Sequence, residues 1–231
     1  MSGRVLVLRP EPGASATGER ARRLGLVPVV APLFAVRPLA WDAPDPSGFD
    51  GVLLTSAHAA RQAGPQLGGF LHLPCYAVGE ATAAAAAEAG FAQVRIGAGD
   101  GAAAVAAAGE GRLLHLCGRD HAWLGQGGAE VERRIVYAAD AIAALPEEAR
   151  RAAEAGALVL IHSPRAGRLL ATLVDRVGLR RSTIALAAIS QAAAAAAGPG
   201  WRRVDTAARP RDEALLELAA ELCQTDRQVR E

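Results

Sequence analysis

The sequence predicts an α/β fold built on parallel sheets, and three observations carry the prediction. Short apolar runs recur along the chain and are continuous rather than alternating, as in strands buried on both faces. Segments of helical composition, several alanine-rich and closed by glycine, separate these runs. Strand and helix alternate throughout, which calls for parallel strands joined by helical crossovers.

Val5-Leu6-Val7-Leu8 is the first such run. Arg9-Pro10-Glu11-Pro12-Gly13 breaks it, a helix is expected from about Ser15 to Leu24 with Gly25 as its stop, and Val27 to Ala31 completes a β-α-β unit. Residues 38–48, rich in Pro, Asp and Trp, read as a linker. Val52-Leu53-Leu54 is a strand ending at Thr55-Ser56, followed by a helix through Arg61. Cys75 to Val78 is a strand ending at Gly79, and an alanine-rich helix runs from about Ala81 to Ala89. Val94-Arg95-Ile96 ends at Gly97 and leads into another alanine-rich helix. Gly111 to Leu116 is a strand ending at Cys117-Gly118-Arg119-Asp120, and a short buried strand is expected near residues 135–138. A helix follows Pro146, and Leu158 to His162 is a strand ending at Ser163-Pro164-Arg165. Ile184 to Ile189 ends at Ser190, and a further helix stops at Gly198. Arg203 to Ala207 is the last strand, and an amphipathic helix from about Arg211 to Cys223 closes the chain before a polar tail.

Composition removes several function classes. With 231 residues, 51% of them hydrophobic, the chain can bury one large core or two small ones. Its 25 basic and 24 acidic residues nearly cancel, so bulk charge favours neither nucleic acid nor an anionic membrane as a partner. Every basic residue is arginine. Schiff-base lysine chemistry is therefore excluded, and anionic ligands are left to arginine forks or backbone amides. Cys75, Cys117 and Cys223 are odd in number and far apart, the pattern of reduced thiols rather than a disulfide framework or zinc site. The five histidines show no metal spacing, so no metal is expected. The N-terminus lacks a signal-peptide hydrophobic region and no apolar run is long enough to span a bilayer, so the cytoplasm is the expected compartment.

Self-comparison shows a repeat. Gly3 to Arg9 resembles Gly111 to Cys117; Val52 to Arg61 resembles Val159 to Arg168; Tyr76 to Gly90 resembles Ala187 to Gly198. The order is short unit, long unit, short unit, long unit. Tandem pairing of these units needs one crossing between domains and interleaved pairing needs two. Two stretches have the character of crossings, Val29 to Pro38 and Arg134 to Asp140, each an apolar run interrupted by proline or small residues. The interleaved form is favoured, giving one domain from residues 1–35 plus 141–231 and another from 39–136, with crossings near 34–38 and 136–140. On this reading Tyr137 lies at the cleft between the domains, with its hydroxyl turned to function.

Ligands of open parallel sheets bind beyond the carboxyl ends of the strands. There the sequence places Arg9, Thr55, Ser56, Gly79, Thr82, Arg119, Ser163, Arg165 and Ser190. Small residues let a ligand approach the backbone, and helix N-termini present amides to carboxylates or phosphates. Each serine or threonine, taken singly, reads first as a helix cap, and only their recurrence at several strand ends points to a ligand. Gly97-Ala98-Gly99-Asp100-Gly101 lacks the spacing of a dinucleotide fingerprint, and no Gly-x-Ser-x-Gly elbow exists.

Five segments together resemble the uroporphyrinogen-III synthases over nearly the full chain: Val7-Leu8-Arg9-Pro10-Glu11-Pro12-Gly13, Leu53-Leu54-Thr55-Ser56-Ala57, Tyr76-Ala77-Val78-Gly79-Glu80-Ala81-Thr82, Val136-Tyr137-Ala138-Ala139 and His162-Ser163-Pro164-Arg165. The resemblance implies two flavodoxin-like, doubly wound parallel-sheet domains of interleaved topology, joined by a two-strand connector. It implies a cofactor-independent lyase, acting as a monomer in the interdomain cleft. The substrate would be linear hydroxymethylbilane, which loses water and closes to uroporphyrinogen III with its last pyrrole ring inverted, through an azafulvene and a spiro intermediate. The family's tyrosine falls on Tyr137, and Ser56, Thr82 and Ser163 fall on its cleft positions. A threonine pair often found in the later repeat is replaced by Ala192 and Ala193, which leaves any such role to Ser190 and Gln191. A transient contact with the preceding enzyme of the pathway is compatible with this reading. The rival expectation is a non-catalytic two-domain module that binds an anionic small molecule.

Overall fold

The computed structural model describes residues 3–97, 101–121 and 128–228. Strand β1 (Arg4–Val7) is apolar after Arg4, and Val5, Leu6 and Val7 are buried on both faces. Helix α1 (Gly13–Arg23) follows, its start fastened by the Glu11 carboxylate, which accepts from the Ser15 amide at 3.0 Å and hydroxyl at 2.8 Å. Gly25, at φ +74°, ends it in the left-handed region that glycine occupies without cost. Strand β2 (Val27–Val30) runs parallel to β1, and β3 (Phe34–Pro38) carries the chain away.

Strand β4 (Gly51–Leu54) is fully buried, and α2 (Ala57–Gln62) starts on the Ser56 cap. Then come β5 (Cys75–Val78), α3 (Glu80–Glu88), β6 (Val94–Gly97), α4 (Gly101–Ala108), β7 (Gly111–Gly118) and β8 (Ala129–Ala141). The remaining elements are α5 (Glu147–Glu154), β9 (Leu158–Ile161), α6 (Pro164–Arg176), β10 (Ala185–Ala188), α7 (Gln191–Ala197), β11 (Arg203–Thr206) and α8 (Asp212–Gln228). The mixed α/β architecture with parallel sheets is the one expected.

Two compact units form. The first joins Met1–Ala35 to Ala141–Glu231 and the second is Val36–Asp140. The first unit holds a sheet of order β11-β10-β9-β1-β2, parallel throughout. Val5, Val7, Leu158, Leu160, Ala185 and Ala187 line one face beneath α1 and α8. Leu6, Val159, Ile161 and Leu186 are buried on the other, where α5, α6 and α7 pack. Gly167 lets α6 and α7 approach closely, since a Cβ there would lie 2.9 Å from the Ala193 carbonyl oxygen.

The second sheet has the order β3-β8-β7-β4-β5-β6, and β8, β7, β4, β5 and β6 are parallel neighbours. Val52, Leu54, Cys75, Leu114, Leu116 and Val136 share one core with Phe49 and Phe70. Leu53, Tyr76 and Leu113 form the other, beneath Ala104 and Val105 of α4.

Three local expectations change. Residues 38–48 are more than a linker: Trp41 is buried in the second unit's core and its Nε1 donates to the Ala63 carbonyl at 2.7 Å. An indole in a chain otherwise poor in aromatics buries more apolar area than the surrounding prolines and aspartates can keep in water. Strand β8 is also far longer than residues 135–138. Its first half is half-exposed, and charged residues such as Glu130, Glu132, Arg133 and Arg134 interrupt the apolar signal there. Between Arg165 and Ile184, where the sequence reading names no element, the structure has α6.

Candidate active site

Each sheet has a point where its chain order reverses. In the first unit β1 leads to β2 on one side, while β9 leads to β10 and β11 on the other. In the second, β7 leads to β8 and β4 leads to β5 and β6. The crevice beyond the carboxyl ends of the two strands at such a point is where parallel sheets receive ligands. Arg9 and His162-Ser163 stand there in the first unit; Thr55-Ser56 and Gly118-Arg119 stand there in the second.

In the second unit the register between β7 and β8 slips. Cys117 pairs with Ile135, but Gly118 pairs with Tyr137. Val136 is thus the extra residue of a bulge, the device by which sheets re-aim a side chain. Val136 and Tyr137, adjacent in sequence, accordingly both pack on the same core cluster, which a regular strand forbids. The Tyr137 ring comes to lie over Gly118. A Cβ on Gly118 would sit 2.6 Å from its Cζ and 2.8 Å from its hydroxyl oxygen. The His58 ring, on the first turn of α2, is tilted at 47° with its centroid 5.6 Å from that of Tyr137.

Arg119 adjoins this phenol twice. Its backbone N–H donates to the Tyr137 carbonyl at 2.9 Å. Its guanidinium donates to Asp140 Oδ1 at 3.0 Å, while Arg37 Nε donates to Oδ2 at 2.6 Å. The Arg37 bond, together with Arg119, holds the Asp140 carboxyl below the usual carboxylate range. Thr55 Oγ1 is 3.1 Å from Nε2 of His115. Burial, with a smaller contribution from Arg133 and His121, lowers the His115 pKa to about 4, so this imidazole is neutral near neutral pH. His121 Nδ1 donates to the Gly118 carbonyl at 3.1 Å.

Three predicted hydroxyls cap helices. Ser56 Oγ accepts from the His58 amide at 3.2 Å, Ser163 from Ala166 at 3.1 Å and Ser190 from Ala193 at 3.2 Å. At α3 the cap position is Gly79, at φ +79° with open space where a side chain would be, and no side chain caps the first turn. Thr82 is buried in that turn. The Arg165 guanidinium lies 4.5 Å from the Phe34 ring centroid.

The first unit contains a group that sequence reasoning missed. Asp212, the first residue of α8, is buried beside Thr17, Arg20, His162 and Arg9. Burial alone would raise its pKa. Hydrogen bonds from His162, Arg20 and Thr17 outweigh that and hold the carboxyl far below its ordinary value. Burial keeps His162 neutral by lowering its pKa, against the pull of Asp212. No spacing links Asp212 to Thr17 or Arg20, and an acidic residue opening a helix is ordinary.

Other chemistry is not prepared. Burial pushes the Cys75 thiol up to about 12 and the Cys117 thiol up to about 11, so neither is a thiolate nucleophile near neutral pH. Among the described residues no cluster of three His, Cys, Asp or Glu is arranged for a metal, and no helix is long and apolar enough to cross a membrane. A concavity of about 640 Å³ beside α7 and β11 holds one charged group, Asp205. Asp205 is already paired with Arg203.

The predicted residues thus fall into two groups. Thr55, Ser56, Gly79, Thr82, Arg119 and Tyr137 belong to the second unit, and Arg9, Ser163, Arg165 and Ser190 to the first.

Comparison with known proteins bears on both. No curated protein matches the chain significantly. Among solved structures, uroporphyrinogen-III synthetase from Helicobacter pylori is 18% identical, with a TM-score of 0.65 over 96% of this chain and 100% of that one. A mutant uroporphyrinogen III synthase from Thermus thermophilus is 20% identical, with a TM-score of 0.51 over 96% of this chain and 99% of that one. At such identities these likenesses speak for the fold. A family model described as uroporphyrinogen-III synthase HemD matches residues 15–217, from within α1 into α8. Since that match takes in most of both units, the chain belongs to the uroporphyrinogen-III synthase family.

Proposed function

We propose that this chain cyclises linear hydroxymethylbilane to uroporphyrinogen III, with loss of water and inversion of the last pyrrole ring, as a cofactor-independent cytoplasmic lyase. Each unit is read as a flavodoxin-like domain whose strand ends share the one substrate. The observation that carries the reading is the Tyr137 phenol, laid over Gly118 by a bulge at the reversal point of its sheet. A simple anion-binding module has no use for a phenol built in this way.

The substrate's own pyrroles drive off its hydroxyl, so the enzyme needs neither a strong acid nor a nucleophile. A phenol that hydrogen-bonds the departing oxygen is sufficient, and neutral histidines and protonated thiols are no handicap. The larger task is to hold one conformation of a flexible chain while its far end turns over, which is catalysis by positioning. The acetate and propionate groups of the rings are suited to Arg9, Arg119 and Arg165 and to backbone amides. Of these amides, the first turn of α3 is the best prepared, because Gly79 provides no side chain to occupy it. Thr55, Ser56, Thr82, Ser163 and Ser190 complete the proposed polar lining.

The test is a product assay. Purified protein is supplied with hydroxymethylbilane, the products are oxidised and the porphyrin isomers are separated. Isomer III in excess is expected. Isomer I alone, which the substrate forms spontaneously, would refute the activity and leave the anion-binding module.

A further inference from the structure

We propose that Arg9 and Arg20, aimed by the buried Asp212, form a carboxylate-receiving fork in the first unit, and that Arg20 is thereby a substrate-binding residue. The inference rests on the reading above that the substrate is a tetrapyrrole bearing acid groups.

The argument starts from a charge imbalance. Asp212 Oδ1 takes bonds from Thr17 at 2.9 Å, His162 Nε2 at 2.8 Å and Arg9 at 3.4 Å. Its Oδ2 shares the single Thr17 hydroxyl hydrogen, at 3.0 Å, and takes both Nε and Nη2 of Arg20, at 2.8 and 2.7 Å, while Thr17 Oγ1 accepts from Arg9 at 3.3 Å. One carboxylate with its acceptor positions filled thus faces two guanidiniums. His162 is neutral, since burial lowers its pKa, and its Nε2–H serves Asp212. The only further anion near Arg20 among the described residues is Glu213, 3.8 Å away and 63% exposed, where water screens it. A net positive charge therefore remains in a half-buried place.

The second guanidinium follows β1 directly, at the reversal point of the sheet where ligands bind. The Arg9 and Arg20 side chains are 31% and 35% exposed, and Asp212 holds the Nε–Nη2 edge of Arg20 and one nitrogen of Arg9. Arginine held on one edge keeps the other for a second planar anion, at little further cost in side-chain entropy. Thr17 and His162 orient the carboxylate and act as positioning residues.

The probe is uroporphyrin I, a stable porphyrin with acid groups on every ring, used beside the kinetics of hydroxymethylbilane turnover. For Arg20→Gln, KM and the uroporphyrin dissociation constant are each expected to rise about tenfold, with kcat within about twofold of wild type. The deficit should narrow as salt rises, because wild-type binding weakens and the variant has less charge to screen. Arg20→Lys should recover part of the affinity. Asp212→Asn should raise KM in the same direction, but a fall in its folding yield would leave Arg20→Gln to decide. An Arg20→Gln protein with unchanged KM and uroporphyrin affinity overturns the fork, even if its Tm falls. Wild-type protein that yields only isomer I defeats the enzymatic reading instead, and the uroporphyrin measurement still decides the fork.

Discussion

Tyr137 owes its position to the side chain that Gly118 does not have. The bulge at Val136 brings the phenol onto Gly118, and any Cβ there would occupy the space of the ring. If the phenol assists the departing hydroxyl, displacing it should cost turnover much as removing it does. Tyr137→Phe is expected to lower kcat by about a hundredfold, the low end of what a positioned acid contributes. Gly118→Ala should lower kcat on the order of tenfold by shifting the ring. In the Tyr137→Phe background the same alanine should cost almost nothing in kcat, since no hydroxyl remains to misplace. Steady-state kinetics of the four proteins close this cycle. Full additivity would mean that Gly118 acts through stability and not through the phenol. The sequence singled out Tyr137 and placed Gly118 at a strand end, but gave no sign of their contact. That contact depends on a one-residue slip between strands, and nothing in either segment announces it. Asp212 was hidden for a related reason: its partners Arg9 and Thr17 lie 203 and 195 residues away.

At the scale of elements, the strand ends were legible because buried parallel strands are continuous apolar runs, and serine or glycine marks where they stop. Each run from Val5-Leu8 to Arg203-Ala207 overlaps a strand of the structure. The failures have physical causes. The first half of β8 carries charges on a half-exposed face, and the helix after Ser163 opens with a proline, which a sequence reading takes as a break although it suits the first helical position. The Ser163 hydroxyl accepts from the Ala166 amide, which leaves its O–H to donate elsewhere. Cap and ligand roles can therefore coexist, and two substitutions separate them. Ser163→Ala should lower unfolding stability by about 1 kcal/mol and also raise KM. Ser163→Asp keeps a good cap, so stability should hold while its charge repels the substrate's acid groups and raises KM further. Urea unfolding and initial rates measure the two. A KM unmoved in both variants would leave Ser163 as a cap alone.

At the scale of the molecule, β7 holds in its sheet the place that β1 holds in the other, flanked by β8 and β4 as β1 is flanked by β2 and β9. The second unit therefore has its shorter half last in the chain, and the first unit has its shorter half first. Each unit also buries one neutral imidazole, His162 in the first and His115 in the second. This pairing fixes how the fold should respond to acid. Burial lowers both pKa values from 6.5, that of His115 to about 4. Between those values the unfolded chain binds protons that the native state refuses. Unfolding free energy must then fall as pH falls, and the stability is fully present only above about pH 6.5. For His115 the shift amounts to roughly 3 kcal/mol by about pH 4. Asp212, whose native pKa is also depressed, adds a loss only below about pH 5, where unfolded carboxylates begin to protonate. Urea denaturation at about pH 7 and about pH 5.5 should thus show a drop in stability while the carboxylates are still largely ionised. His115→Gln, which can still hydrogen-bond Thr55 but cannot titrate, should flatten much of that slope even if it is less stable at neutral pH. Equal wild-type stability at the two pH values would show that His115 and His162 are as easily protonated in the native state as in the unfolded chain, and would remove the electrostatic account given for both units.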